Sequence, residues 1–400
     1  MIPSSNSHIL LTVTNDLTYD QRMQRIAGSL AAAGYQVSLI GRILPQSLPL
    51  EQKAFEQERI KCRYHSGKMF YAEFNWRLYR FLQKKVTALL KNGKTIAVCA
   101  IDLDTILPCH RIAKKYGLPA VYDAHELFSE LTEVKRRPVI HALWQGVERN
   151  LVPHFKYGYT VNQFIADELR RRYDVKYDVI RNMPVRTDAG RQTTDARSNS
   201  EKAINSQSPV TDSAIPIPNS PFFLYQGAVN EGRSFETLIP AMKMVKAPLL
   251  IVGEGNFFEQ AKAIASENKL ADKVIFTGYL TPSRLHAITP LAYAGITIFE
   301  NTGLNQYYSL ANRYFDYIQA GIPQLCVNYP EYATLNKQFE TALLTDDLSP
   351  GQLAQKMNNL LGDAVLYKRL KSSCILAAQE LCWENEERKL VSFWKKILPV

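Results

Sequence analysis

The chain has 400 residues, 46% of them hydrophobic and 22% charged, with a formal net charge of +10. That length exceeds what one core usually organises and predicts two domains, and the composition excludes a disordered or fibrous protein. No apolar run reaches the ~20 residues of a membrane span, and the opening MIPSSNSHILLTV lacks the basic region of a signal peptide. Cys62, Cys99, Cys109, Cys326, Cys374 and Cys382 show neither CxxC nor Cys/His ligand spacing, so reduced core thiols in a cytoplasmic protein are expected. The positive charge attracts anions, whether nucleic acid, an anionic membrane surface or polyphosphate ligands.

His8–Thr14 (HILLTVT) reads as a buried strand, followed by the loop Asn15–Asp20, a helix from Gln21 to Ala33 stopped by Gly34, and a second strand Tyr35–Ile40. A βαβ start of this kind is the first unit of a Rossmann-like domain. Asp16, Asp20 and Arg22 lie in or just after the first loop, as cleft side chains or, equally, as an N-cap Asp20 beside a solvated Arg22. Lys68–Lys91 is an amphipathic helix with an apolar stripe of Tyr71, Phe74, Leu78, Leu82 and Leu89. Its second stripe, Arg77, Arg80, Lys84 and Lys91 beside Trp76, fits a solvated face or a contact with anionic lipid. Thr95–Ala100 is the next strand, and Asp102 and Asp104 are expected to cap the helix after it. Ala120–Tyr122 runs into Asp123-Ala-His125-Glu126-Leu-Phe, a His among carboxylates at the C-terminal end of a strand, where α/β enzymes place reactive groups. The cluster Lys135-Arg-Arg-Pro138 fits solvated surface or an acceptor phosphate. Tyr157–Val161, a helix from Asn162 through Arg172 and Tyr177–Ile180 complete this half.

Thr187 to Pro221 is rich in Ser, Thr, Asn, Asp, Gln and Pro and has no periodicity, so a flexible linker is expected there. The α/β rhythm then resumes with Phe222–Gln226, the loop Gly227–Arg233 and a helix from Phe235. Leu249–Val252 leads to Gly253-Glu-Gly255, and Val274–Tyr279 is a further strand, with Tyr279 placed for core packing or for a ligand. Ala292–Phe299 is a strand buried on both faces. After it come Glu300, a polar loop around Gly303 and a helix with Leu310, Tyr314, Tyr317 and Ile318 on its apolar side, stopped at Gly321-Ile-Pro323. A strand, a polar loop and a helix N-terminus form a unit suited to phosphate. Ser309 and Asn312 are expected at the helix start, with Asp316 one turn on, where a carboxylate accepts the hydroxyls of a ribose. A helix from Pro350 and a final helix from about Cys374 to Ile397 end the chain.

The segment YSLANRYFDYIQAGIP resembles the donor-binding segment of the retaining, nucleotide-sugar-dependent glycosyltransferases of family 4 (group 1), which have the GT-B architecture. Their paired-Glu motif places its second, ribose-binding Glu five residues before the Gly of the helix stop; Asp316 stands there, and Tyr308 stands at the first. A variant branch with a YSLPNK-FEY helix start is closer, with Ala311 for its Pro and Arg313 for its Lys. DAHELF resembles the family site whose His contacts the donor sugar, which implies that role for His125. The family's first-loop Gly-Gly pair is absent here. The family's loop of basic side chains for the diphosphate matches at Arg233, with Gly227 opening it and Ala228 replacing one cation. Val274–Tyr279 resembles the strand and loop beside the nucleotide base.

The resemblance implies an α/β, GT-B fold: two Rossmann-like domains with parallel sheets facing across a cleft. Residues 1–185 form the acceptor domain, 186–221 the linker, 222–375 the nucleotide-sugar domain and 376–400 a helix bracing back on the first domain. The implied activity is retaining transfer of a sugar to a glycan or lipid-linked acceptor in cell-surface polysaccharide synthesis. It takes a UDP- or GDP-linked co-substrate, with no cofactor and no metal. His125 is the catalytic candidate; Arg233, Gly227, Tyr279, Ser309, Leu310, Asn312 and Asp316 are the donor-binding candidates; Asp16, Arg22, Glu126 and Glu300 are further cleft candidates. A nucleotide-sugar 2-epimerase and a catalytically silent scaffold subunit are the rival readings. No module or aromatic platform for nucleic acid is visible, and peripheral contact at the inner face of an anionic membrane is the remaining partner expectation.

Overall fold

The computed structural model describes residues 6–18, 20–186 and 215–399. The chain divides into two compact units, residues 1–182 with 385–400, and residues 183–384. Most of the expected linker, 187–214, lies outside the described residues.

The first unit is a seven-stranded parallel sheet of β1 (Ser7–Asp16), β2 (Gln36–Ile43), β3 (Glu56–Lys61), β4 (Thr95–Ile101), β5 (Ala120–Ala124), β6 (Tyr157–Thr160) and β7 (Asp178–Val179). The order is β3-β2-β1-β4-β5-β6-β7, so the winding reverses between β1 and β4. β1 and β4 are almost continuously buried, as strands covered by helices on both faces must be. Asp20 caps the helix Gln21–Ala32 by accepting from the Met23 N–H at 3.0 Å. The helix Gly67–Lys91 buries Phe70, Phe74, Leu78, Leu82 and Val86, so its inward stripe holds Phe70 and Val86 where Tyr71 and Leu89 were expected. The expected last helix is two helices, Ala364–Glu380 and Trp383–Ile397. The second belongs largely to the first unit: Trp394 is fully buried, Phe393 packs edge-on against Tyr159, and Glu386 accepts the Arg181 N–H at 2.8 Å.

The second unit is a six-stranded sheet of β8 (Phe223–Gln226), β9 (Leu249–Val252), β10 (Val274–Gly278), β11 (Ala294–Thr297), β12 (Gln324–Val327) and β13 (Ala342–Thr345). The order β10-β9-β8-β11-β12-β13 repeats the same winding and reverses between β8 and β11. Helix Asn312–Gln319 packs Tyr314, Phe315 and Ile318 into the larger core with Phe223, Tyr225 and Leu325. Tyr317 points to the opposite cluster with Phe222, Leu224 and Val252, which Ile215 and Ile217 also join from within the polar stretch. Gly295 permits this close packing, since a Cβ there would stand 2.3 Å from the Tyr317 ring.

Both sheets therefore have the doubly wound order. In such sheets ligands bind beyond the carboxyl ends of the strands flanking the reversal. That rule directs attention to the ends of β1 and β4 in one unit, and of β8 and β11 in the other.

Candidate active site

In the first unit, Asp102 follows β4 and His125 follows β5. His125 Nδ1 lies 2.9 Å from Asp102 Oδ2, with the side chains 31% and 11% exposed. Asp102 has φ 58° and ψ 173°, a backbone region that is essentially restricted to glycine and costs about 1–3 kcal/mol. Its N–H donates to the Asp123 carbonyl at 2.9 Å, which holds the turn that carries its carboxylate. Burial pushes the His125 imidazole down, but the Asp102 charge outweighs it and lifts the group to about 9. His125 is thus an imidazolium at neutral pH. Burial and the Asp102 charge raise Asp104 to about 7, partly countered by the Thr14 hydroxyl that donates to it.

Neither Asp102 nor Asp104 caps the following helix through its side chain, which corrects the sequence expectation. Glu126 is half-buried, and donor atoms of Asp102, His125 and Glu126 lie within 4.8 Å of one another. Two of the three, Asp102 and His125, form the ion pair just described, and each of the three offers one atom that a metal ion could take.

Arg22 is neither a free cleft side chain nor a solvated one. Its two terminal nitrogens donate to Asp123 at 2.8 and 2.6 Å in a buried fork. Burial opposes its charge, and Asp123 more than restores it. Asp16 is likewise consumed locally: it accepts from Thr18 and Ser47 and meets Arg59 at 3.5 Å. Burial alone would raise it, yet these partners hold it below the ordinary carboxylate value.

In the second unit, β8 ends at Gln226, and Gly227 opens the loop beyond it. Gln226 Nε2 donates to Asp316 Oδ2 at 2.9 Å, and its Oε1 accepts from Thr289 at 2.9 Å. Helix Asn312–Gln319 starts later than the sequence suggests, because Leu304–Tyr307 forms a separate turn. Ser309 therefore precedes the helix. Its N–H and hydroxyl both donate to the Gln306 carbonyl, and the Ala311 N–H donates to Tyr332 Oη at 2.7 Å. Two of the N–H groups expected to face phosphate are thus already used. Leu310 is partly buried against the core, while Asn312 is exposed at the first helical position.

Arg233 lies 5.6 Å from the centre of the Phe299 ring, just past the end of β11. The exposed Glu300 donates its N–H to the Gly232 carbonyl at 2.9 Å, joining the two loops at the reversal. Tyr279 is 62% exposed and donates its N–H to Glu254 at 3.3 Å, so it is not a core residue.

Three residues at these positions were absent from the sequence candidates: Asp102, Gln226 and Arg313. Gln226 had a readable signal as the last residue of a buried strand before glycine. Arg313 had another, a cation on a helix face otherwise occupied by buried aromatic residues.

The two sheets and their sites define a two-domain GT-B protein. Residues 211–374 match the model of the family described as Glycosyl transferases group 1, and residues 21–184 match Glycosyltransferase Family 4. Together these matches place the chain among the group 1 glycosyltransferases. Sucrose-phosphate synthase from Thermosynechococcus elongatus has a similar structure, with TM-score 0.75, 17% identity and 98% of both chains covered. Anabaena HepE, solved in complex with UDP, gives TM-score 0.69 at 12% identity over 98% of this chain and 100% of that one. A putative UDP-N-acetylglucosamine 2-epimerase from Listeria monocytogenes gives 0.61 at 11% identity, over 97% of this chain and 96% of that one. No curated protein matches the sequence.

Proposed function

We propose that the chain moves a sugar from a nucleotide-sugar to a glycan or lipid-linked acceptor, with retention of configuration, in cell-surface polysaccharide synthesis. The observation that carries this reading is the Gln226–Asp316 pair at the winding reversal of a group 1 domain. Gln226 fixes one carboxylate oxygen of Asp316, which orients the other lone pairs towards the ribose hydroxyls. Arg233 and the N-terminus of helix Asn312–Gln319 stabilise the diphosphate as charge develops on it. His125, held as an imidazolium by Asp102, is the residue assigned to the donor sugar. The UDP complex of the similar HepE supports a nucleotide donor. No metal or cofactor has a part in the scheme, and the enzyme works at the inner face of an anionic membrane.

The test is acceptor-dependent release of UDP or GDP from a panel of nucleotide-sugars in the presence of EDTA, with the anomer of the product assigned from its proton coupling. Release that requires acceptor, and a product anomer equal to that of the donor, is expected. Inverted product contradicts the retaining mechanism. Conversion of the donor alone supports the epimerase reading, which the similarity to the Listeria protein favours. An unchanged donor with every acceptor supports a silent scaffold.

A further inference from the structure

Arg313, the second residue of helix Asn312–Gln319, is only 8% exposed. Its guanidinium carbon lies 4.6 Å from the centre of the Tyr225 ring. Nη1 donates to Tyr225 Oη at 3.1 Å and, more weakly, to the Gln226 carbonyl at 3.4 Å. Nε and Nη2 are buried without a hydrogen-bond partner. Among the described residues no carboxylate pairs with this cation; the groups that modulate its charge are the phenols of Tyr225, Tyr317 and Tyr332. An arginine taken out of water with two nitrogens unsatisfied and no counter-ion is costly, and side-chain packing alone would be served better by an apolar residue of similar size.

The position of the guanidinium gives that cost a purpose. Gly227 has φ 123°, and a Cβ on it would stand 3.2 Å from Arg313 Nη1, so the cation lies directly behind the first residue of the glycine loop. Tyr225 Oη, which accepts from Arg313, donates onward to the Ala228 carbonyl at 2.8 Å, so the same side chain braces the loop. The family resemblance implies a basic side chain at position 228, where this chain has Ala, and Arg233 is the cation within the loop Gly227–Arg233. We propose that Arg313 is the counter-charge for the donor's diphosphate, set beneath the glycine loop in place of the cation that Ala228 does not provide. It acts across one layer of backbone, where low polarisability keeps charge attraction strong over several ångströms. Its role is positioning and electrostatic, and it rests on the donor-binding reading given above.

The experiment compares wild type with Arg313→Met, Arg313→Lys and the double variant Arg313→Met/Ala228→Arg. Affinities for UDP, GDP and the nucleosides uridine and guanosine are measured by calorimetry, with the melting temperature of each ligand-free protein. Arg313→Met is expected to lose about tenfold or more in affinity for the diphosphate that wild type binds, the scale of a lost charged interaction. Its nucleoside affinity stays within about twofold and its ligand-free melting temperature is equal or higher, because an uncompensated charge has gone. Adding Ala228→Arg restores most of the diphosphate affinity, and Arg313→Lys stays closer to wild type than to the Met variant. Unchanged diphosphate affinity in Arg313→Met overturns the proposal, and so does an equal loss for nucleoside and diphosphate together with a lower melting temperature. Should the Met variant fail to fold, the Lys variant decides: a loss of about tenfold despite a retained charge overturns the role. A wild-type protein that binds neither UDP nor GDP, yet has its melting temperature unchanged by both, overturns the donor reading itself and the proposal with it.

Discussion

Gln226 Nε2 donates to Asp316 Oδ2 at 2.9 Å, tying the last residue of β8 to the second turn of helix Asn312–Gln319. Through that bond, the strand that ends at the winding reversal sets the direction of the carboxylate assigned to ribose. Asp316→Ala should weaken nucleotide binding by about tenfold, a lost charged hydrogen bond, with a smaller effect on turnover at saturation. Gln226→Ala should produce a milder loss, since the carboxylate persists but is no longer oriented. Calorimetric titration with nucleoside diphosphates checks both, and wild-type affinity in Asp316→Ala removes the ribose role.

The His125–Asp102 ion pair gives a pH signature. The folded pKa of about 9 lies above the unfolded value of 6.5, so the folded state holds the proton more tightly. The stabilisation is complete below the unfolded value and is lost as pH rises through about 9. Asp102→Asn should drop the His125 pKa towards or below its ordinary value by removing the charge that offsets burial. Imidazole NMR shifts across pH 5–10 read this directly. A His125 that titrates identically in wild type and Asp102→Asn contradicts the pairing.

Asp104 behaves in the same sense at lower pH. Its folded pKa of about 7 lies above the ordinary carboxylate value of 3.8, so stability contributed by the neutral carboxyl declines between those two values and levels off above. Asp104→Asn should remove that decline while leaving an oxygen to accept from Thr14. Urea denaturation at pH 5 and pH 8 measures the difference. A variant whose stability falls with pH as wild type does would assign the slope to other groups.

The Arg22–Asp123 fork is buried on both sides. Arg22→Ala strands the carboxylate and should cost about 3–5 kcal/mol of stability. Chemical denaturation provides the check. A loss under about 1 kcal/mol would mean that the carboxylate finds water or another partner.

Membrane contact has its own test. Trp76 is 55% exposed with Arg80 stacked 4.9 Å from its ring, whereas Arg77 is engaged with Glu73 at 2.7 Å. Neutralising Arg77, Arg80, Lys84 and Lys91 together should abolish co-sedimentation with anionic vesicles, with Arg80 and Lys84 giving most of the effect. Unchanged binding sinks the lipid role of this face. No described helix is long and apolar enough to cross a membrane.

The strands buried on both faces were the most legible part of the chain, because a continuous apolar run has few other uses. Leu249–Val252 matches its observed bounds, and the doubly wound order of each sheet follows from the β/α alternation. β3 was invisible for the converse reason: GluGlnGluArgIleLys is an edge strand, and edges carry charge to avoid further pairing. The start of helix Asn312–Gln319 was misplaced because the group that takes the Ala311 N–H is Tyr332, a partner outside the helix that local pattern cannot supply. Arg22 was misread in the same way, since its partner lies 101 positions away. His125 was legible as a titratable group at a strand end, but the strained Asp102 that charges it was not. A single residue in a glycine-like conformation leaves no periodic trace.

The most direct measurement is a thermal-shift panel of UDP, GDP, ADP and their sugar conjugates against the whole chain, because a ligand that binds only the folded state raises its melting temperature. A shift of several degrees with one nucleoside diphosphate and its sugar conjugate, reduced in Asp316→Ala, is the expected result and names the base. No shift with any of them at millimolar concentration would contradict a nucleotide-sugar site at Gln226, Arg313 and Asp316.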